Sequence, residues 1–435
     1  MANNSEKSLE FDVLVIGGGI AGQESSLNLA YNGFKVLLVE KDLSIGGKMI
    51  HLSKVFPTLD CSACIATPKI SETARNPNIT IKTFCEVSGL ERKGDGFTGM
   101  LTEKPRYVKP DICTGCQDCE KKCPVVVNDE YNWGIVGRKA AFVPFDLANP
   151  RVAAIDIENC TLCGACERAC PADAIDFTME EQTYDLRVKA VVIASGFELF
   201  PPERKKEYHY NECSNVIHAM HMDRLLAPTR PFTHVCRPSD GRKPDNIAYV
   251  LCTGSRDKTV GNPICSQICC MYSVKQAQLL MGALPMADIT IYYIDIRAFG
   301  KGFEEFYQQG IGMGVEFVKG KIADIKEKED GNLVLSYEDI EGKGQRKEVE
   351  HDLVVLSVGA LPNTDVSGFF KPNTLDFDEH QYVKQINEIE SPAKTNIEGV
   401  FVAGTASGPM DIPDSILSAG AASSESAAYL RRNAK

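Results

Sequence analysis

At 435 residues, with 43% hydrophobic and 24% charged side chains, the sequence predicts an ordinary globular chain of about three domains and excludes a low-complexity or disordered one. A net charge of −12 with no basic block argues against nucleic acid as a ligand. No apolar run approaches the roughly 18–20 residues of a membrane-spanning helix. The start, Met1 to Glu10, lacks the apolar core of an export signal. The 17 cysteines therefore read as thiols of a reducing cytoplasm, where they serve metals and redox chemistry, and any membrane association is expected through partner subunits.

The first element is a β-rich apolar run, Phe11 to Ile16, followed by Gly17-Gly18-Gly19-Ile20-Ala21-Gly22 and a helical stretch to about Tyr31. A second strand, Lys35 to Val39, ends at Glu40. This is the spacing of a dinucleotide-binding βαβ unit. Gly17 allows the sharp turn, Gly19 lets backbone approach a pyrophosphate, and Gly22 lets the helix pack on the sheet, while the helix N-terminus offers amide hydrogens to phosphate. Glu40 is placed to accept hydrogen bonds from an adenosine ribose. Glycines serving only a tight turn are the alternative. The continuation Lys41-Asp42-Leu43-Ser44-Ile45-Gly46-Gly47 resembles the extension of two-dinucleotide flavoproteins, which favours FAD and adds Lys41, Gly46 and Gly47 to the candidate cofactor residues.

Next comes Asp60-Cys61-Ser62-Ala63-Cys64, and then two matching lines of cysteine. Cys113, Cys116, Cys119 and Cys123 precede Pro124, and Cys160, Cys163, Cys166 and Cys170 precede Pro171, each with the x2, x2, x3 spacing of the bacterial ferredoxin run. In that pattern the fourth cysteine of a run serves the other cluster. One [4Fe–4S] cluster is then held by Cys113, Cys116, Cys119 and Cys170, the other by Cys160, Cys163, Cys166 and Cys123. Tetrahedral zinc is the rival reading of paired C-x2-C units. The runs occupy residues 104–177, after which the strand Ala190 to Ala194 leads into Ser195-Gly196 and the α/β rhythm resumes. The cysteine module is thus expected as an insertion.

Further strands are predicted at Asn246–Leu251 and Ile289–Asp295 around a helix from Ser273 to Met281, with strand and turn material over Lys321–Asp352. Val354–Val358 and Val400–Ala403 read as buried strands, and Ile416–Arg431 as a terminal helix. Gly399 to Gly404 resembles the second FAD motif of thioredoxin reductase-like flavoproteins, with Thr405 where an Asp is usual. Pro413 near the start of the last helix suits that position, and Asp411 and Ile412 at its mouth join Gly196, Gly404 and Thr405 as candidate cofactor contacts. After Asn246–Leu251 the chain reads Cys252-Thr253-Gly254-Ser255-Arg256-Asp257, without a glycine triplet, so standard NAD(P)H binding is not expected.

The fold class predicted is α/β, a two-dinucleotide-binding flavoprotein with an inserted α+β double-cluster ferredoxin domain. Residues 1–103, 178–240 and 371–435 are assigned to the FAD domain, 104–177 to the ferredoxin domain and 241–370 to a second Rossmann domain. Cys61 and Cys64 read as a redox dithiol, as structural thiols or, with two of Cys265, Cys269 and Cys270, as ligands of a third cluster. Cys85, Cys213, Cys236 and Cys252 read as buried small hydrophobes, and His218 and His221 as surface polar residues. No catalytic residue is assigned.

These motifs, together with Gly46-Gly47-Lys48-Met49, Phe56-Pro57-Thr58-Leu59-Asp60-Cys61, Cys265 to Met271, Asp295 to Gly302 and Asp411 to Ser415, resemble the thioredoxin reductase-like FAD and iron–sulfur subunit of heterodisulfide reductase from about Phe11 to the C-terminus. The resemblance implies a cytoplasmic protein carrying both kinds of cofactor, a homodimer within a hetero-oligomer. It would relay or bifurcate electrons between a donor protein and partner subunits, with an indirect quinone link. Longer members of that family carry an N-terminal cluster domain and a C-terminal ferredoxin, which this chain is expected to lack. The alternative is a self-sufficient NAD(P)H-dependent disulfide or ferredoxin reductase using Cys61 and Cys64.

Overall fold

The computed structural model describes residues 8–342, 344–372 and 374–433. The first seven residues, on which most of the export reading rests, lie outside them. The chain forms two compact units, one of Met1–Ile50, Ala66–Phe197 and Pro362–Lys435, the other of His51–Ile65 and Glu198–Leu361.

In the first unit, the apolar runs predicted as parallel strands are buried on both faces, as such strands must be when helices cover a sheet. The seven-stranded sheet runs in space Ile79–Thr83, Val36–Glu40, Ser8–Ile16, Gln182–Ile193, Gly96–Glu103, Cys85–Lys93. The first four are mutually parallel and the last two antiparallel. Gln182–Ile193 is longer than predicted because its first half alternates exposed and buried residues against Gly96–Glu103, while Val191–Ile193 pairs with Val400–Val402. Helix Ile20–Tyr31 packs on the terminal helix Ile412–Asn433 through small residues, and the Ser25 hydroxyl donates to the Ala419 carbonyl at 3.4 Å.

Between Gly96–Glu103 and Gln182–Ile193 lies the cysteine-rich segment. Its short helices Asp118–Lys122 and Ala165–Ala169 pack on two small hairpins, and Val108, Ala140, Val152, Ala174 and Ile175 form the core. The sequence repeat is also a backbone repeat. Gly115 and Leu162 are left-handed at matching positions of the two runs, and so are Gln117 and Gly164, just before each helix.

The second unit has its own seven-stranded sheet, ordered Val216–His218, Leu353–Val358, Asn246–Thr253, Asp288–Tyr293, Glu316–Glu327, Leu333–Asp339, Gln345–His351. The first five are parallel and the rest an antiparallel meander. Residues 198–240, assigned from sequence to the FAD domain, belong here instead, because Val216–His218 pairs with Val354–Leu356. Residues 51–65 belong here too, as an arm held by Asp223. Asp223 Oδ1 accepts the Ser53 N–H at 3.0 Å, the Ser53 hydroxyl and Lys275 Nζ, and its Oδ2 accepts Gln276 Nε2 at 2.7 Å. Lys275 and Asp223 are almost wholly buried, so this ion pair is satisfied on all sides as burial demands.

His218 and His221, expected at the surface, are buried and stacked with ring centroids 3.8 Å apart. Burial first, then the His221 ring, holds His218 well below its ordinary pKa. The helix Ser62–Arg75, with Pro68 inside it, has no counterpart among the elements the sequence predicts.

Candidate functional site

The opening turn has no room for side chains. A Cβ on Gly22 would stand 1.8 Å from the Gly17 carbonyl oxygen, and one on Gly17, where φ is +107°, would stand 2.3 Å from the Ala194 carbonyl oxygen. The helix that follows has no side-chain cap at Gly19, which leaves its first amides available to an anion. Gly46 and Gly47 close over this turn: the Gly46 N–H donates to the Gly18 carbonyl at 2.9 Å, and a Cβ on Gly47 would lie 2.8 Å from the Gly19 Cα. Gly404 packs against the same helix, since its Cβ would meet the Ala21 Cβ at 2.7 Å, with Thr405 half-buried beside it. Gly196, at φ +75°, faces open space.

Glu40 accepts the Gly18 N–H at 2.7 Å and the Asp42 N–H at 3.0 Å. Burial, aided by Asp42, nevertheless pushes its carboxyl up to about 7. Lys41 is drawn to Asp365 at 2.7 Å on the surface. Asp411 Oδ1 accepts the Asp414 N–H at 2.9 Å, so it caps the terminal helix that Ile412 begins, and burial raises its carboxyl.

Sequence reasoning missed the residues that brace this turn. Asn149, in the cysteine-rich segment, accepts the Ile45 N–H at 3.0 Å and donates its own N–H to the Ser44 hydroxyl at 2.8 Å. Arg106 donates to the Leu43 carbonyl at 3.1 Å and to the Thr83 hydroxyl. Neither type of contact leaves a periodic signal.

In the cysteine-rich segment, Cys113, Cys116, Cys119 and Cys170 line one cavity with Val108 and Ile175. Burial pushes the Cys119 thiol up to about 12, with Cys113, Cys116 and Cys166 adding to it. Burial likewise raises Cys166, whose thiol neighbours are Cys160 and Cys123, whereas the Ala165 N–H and Arg168 lower Cys163. Among the described residues no three side chains converge at the spacing of a single metal ion. The thiols stand apart around their cavity.

Of the remaining cysteines, Cys85, Cys213 and Cys236 are buried, and Cys61, Cys64, Cys252, Cys265, Cys269 and Cys270 fall into two groups. Cys61 and Cys64 hydrogen-bond to each other. Cys265, Cys269 and Cys270 gather instead with Cys252, which the sequence suggested was isolated. Cys252 sits at φ +59° near the end of strand Asn246–Thr253, and Cys269 and Cys270 open helix Cys269–Ala283. Burial raises Cys252 to about 11, Cys270 to about 12 and Cys269 well above its ordinary value. Thiols so hard to ionise are poor nucleophiles, and a bound cation would be needed to deprotonate them.

A family profile of pyridine nucleotide-disulphide oxidoreductases matches residues 11–422. The chain belongs to that family. Its fold is that of the two-dinucleotide flavoproteins: thioredoxin reductases of T. acidophilum and Lactococcus lactis each superpose with a TM-score of 0.55 at 14% and 15% identity, covering 96% and 97% of this chain and 98% and 99% of theirs. The chain is also similar to two proteins of methanogens. One belongs to the ferredoxin:CoB-CoM heterodisulfide reductase of Methanosarcina mazei and is 41% identical over 95% of this chain and 52% of that protein. The other is an iron–sulfur subunit of the CoB–CoM heterodisulfide reductase of Methanocaldococcus jannaschii, 41% identical over 97% of this chain and 65% of that protein. The oxidoreductase thus spans roughly half to two-thirds of the length of these relatives. No helix among its described residues is long and apolar enough to cross a membrane.

Proposed function

We propose that this oxidoreductase is the FAD- and iron–sulfur-bearing electron-transfer subunit of a heterodisulfide reductase-like complex. It would work with partner subunits and take electrons from a small donor protein, as the ferredoxin in the name of the Methanosarcina mazei relative suggests. One observation carries the reading: a glycine turn fit for a pyrophosphate and a cavity ringed by four thiols lie in the same compact unit, braced together through Asn149.

The residues present suit the groups proposed. The Gly17–Gly22 turn and uncapped helix start would hold the FAD pyrophosphate, Glu40 the ribose, and Gly196, Gly404, Thr405, Asp411 and Ile412 the remainder. Bound flavin supplies interconversion of two-electron and one-electron steps, and [4Fe–4S] clusters supply one-electron transfer. Cys113, Cys116, Cys119 and Cys170 are assigned one cluster, and Cys160, Cys163, Cys166 and Cys123 a second. Thiols spaced around a cavity suit a cube, in which each binds a different iron. Cys252, Cys265, Cys269 and Cys270 are assigned a third cluster in the second unit. They occupy the strand-to-helix connection where a nicotinamide dinucleotide would need close-approaching glycines, so electrons are expected to pass through clusters there and not through NAD(P)H.

Anaerobically purified and reconstituted protein should contain one flavin and about twelve iron atoms per chain. Rapid bleaching of the flavin by NADH in the isolated chain, or fewer than about eight iron atoms, would sink the reading.

A further inference from the structure

The loop that closes over the glycine turn fits it at contact distance. A Cβ on Gly18 would stand 2.7 Å from the Ile45 side chain, and one on Gly46 would stand 2.5 Å from that of Ile50. Ile45 is wholly buried and Ser44 nearly so. In so close a fit a small shift of the loop is felt by the turn beneath it. The loop takes its position from the cysteine-rich segment. The Tyr131 hydroxyl donates to the Ile50 carbonyl at 3.3 Å, and the Asn149 backbone accepts the Ile45 N–H at 3.0 Å and donates to the Ser44 hydroxyl at 2.8 Å. Tyr131 in turn stacks on Phe145, with ring centroids 5.0 Å apart and planes at 12°, and the Ala148 N–H donates to the Phe145 carbonyl at 3.1 Å, which turns the chain into Asn149.

Tyr131, Phe145 and Asn149 all lie between the two cysteine runs, in the stretch that crossed ligation through Cys123 and Cys170 would close at both ends. Their link to the first run is direct. Glu120, between Cys119 and Cys123, accepts the Val143 N–H at 3.3 Å, and the Val125 carbonyl accepts the Ala140 N–H at 3.2 Å. The core of the segment joins alanine, valine and isoleucine to three of the cysteines, Cys119, Cys123 and Cys166. Its two helices have five residues each, too few to stand without tertiary support. A segment with so small an apolar core draws its stability from the metal group it binds, so that binding and folding are one event.

We propose that Tyr131 and Asn149 are positioning residues for the flavin, and that cluster assembly in the cysteine-rich segment sets loop 44–50 in its flavin-retaining position, so that iron loading and FAD affinity are coupled. This coupling rests on the relay reading, which puts FAD on the Gly17–Gly22 turn and [4Fe–4S] clusters on the paired runs. With the clusters in place, Tyr131, Phe145 and Asn149 form one block against the loop. Without them the block loosens, and the three hydrogen bonds it makes to Ile50, Ile45 and Ser44 loosen with it. At about fivefold in equilibrium per hydrogen bond, their joint loss amounts to about 100-fold in FAD affinity. By linkage the coupling is reciprocal: bound FAD holds the segment closed and so protects its iron.

The test uses the full chain, purified anaerobically and freed of flavin. FAD affinity is read by quenching of flavin fluorescence on the iron-loaded chain and on the same chain stripped of iron by a chelator, with circular dichroism to show that the sheets persist. The stripped chain should bind FAD about 100-fold more weakly, and saturating FAD should slow the release of iron from the loaded chain to a ferrous chelator. Tyr131→Phe keeps the ring on Phe145 and removes only the hydroxyl, so it should keep the wild-type iron content and bind FAD about fivefold more weakly. Equal affinity in the loaded and stripped chains overturns the coupling. So does wild-type affinity in the Tyr131→Phe chain, an outcome that does not depend on the stripped chain keeping its fold. The relay reading fails on absent flavin or too little iron in the wild-type chain, whereas the coupling fails in a chain that holds both, so the two failures are distinguishable.

Discussion

The two units solve one architectural problem differently. Each has a parallel strand that leads into a helix and on to a neighbouring parallel strand. In the first unit the connection is residues 17–19, and glycine brings backbone within touching distance of backbone. In the second it is residues 254–268, and the helix opens on cysteine. What stands at the helix start decides what the unit can bind: bare amides welcome a phosphate, whereas a ring of thiols welcomes iron. On the proposed reading one fold, repeated, would carry two chemistries, a nucleotide at one helix start and an electron-carrying cluster at the other.

Substitutions can break this contrast, and the largest effect is expected at Gly22. Its added Cβ would meet the Gly17 carbonyl at 1.8 Å with nowhere to go. Gly22→Ala should cost about 3 kcal/mol and abolish flavin binding, read by thermal denaturation and by the flavin-to-protein ratio. Next, Cys252→Ser should remove about four iron atoms per chain while flavin content stays at the wild-type level. Iron content indistinguishable from wild type would show that the second unit does not use its thiols as supposed.

A subtler test is the pH response of the flavin-free chain. Glu40 rises from 4.5 to about 7 on folding, so the folded state holds its proton more tightly than the unfolded chain. Its contribution to stability should therefore be greatest below about pH 4.5, fall as pH climbs through the interval and level off above about 7. Glu40→Gln should flatten that slope in urea denaturation, and flavin affinity in the wild type should strengthen over the same interval as the carboxylate forms. The smallest effect is expected from Lys41→Ala. Its ion pair with Asp365 is exposed and should be worth less than about 1 kcal/mol, with flavin content barely altered if Lys41 only anchors the surface.

Much of this was legible in the sequence because it is local. The glycine turn, the acidic residue after the second strand and the duplicated cysteine spacing each sit within a few dozen residues and follow from backbone geometry. What escaped was non-local. Cys252 and Cys265 come together only because the chain takes a left-handed step at Cys252 and then loops back. The allegiance of residues 51–65 rests on a serine meeting an aspartate 170 positions away, and that of residues 198–240 on three residues pairing with Val354–Leu356. Asn149 and Arg106 work through carbonyls and hydroxyls, contacts to which no spacing rule points.

The interleaving of the two units has a consequence for biosynthesis. The arm bearing Ser53 leaves the ribosome long before Asp223 and Lys275 exist to receive it, and the central strand Gln182–Ile193 waits for Val400–Val402 until almost the whole chain has been made. Neither half can be completed by early translation alone. A messenger truncated before Leu353–Val358, the strand that joins Val216–His218 to Asn246–Thr253, should yield a product with both halves open, which protein quality control would remove.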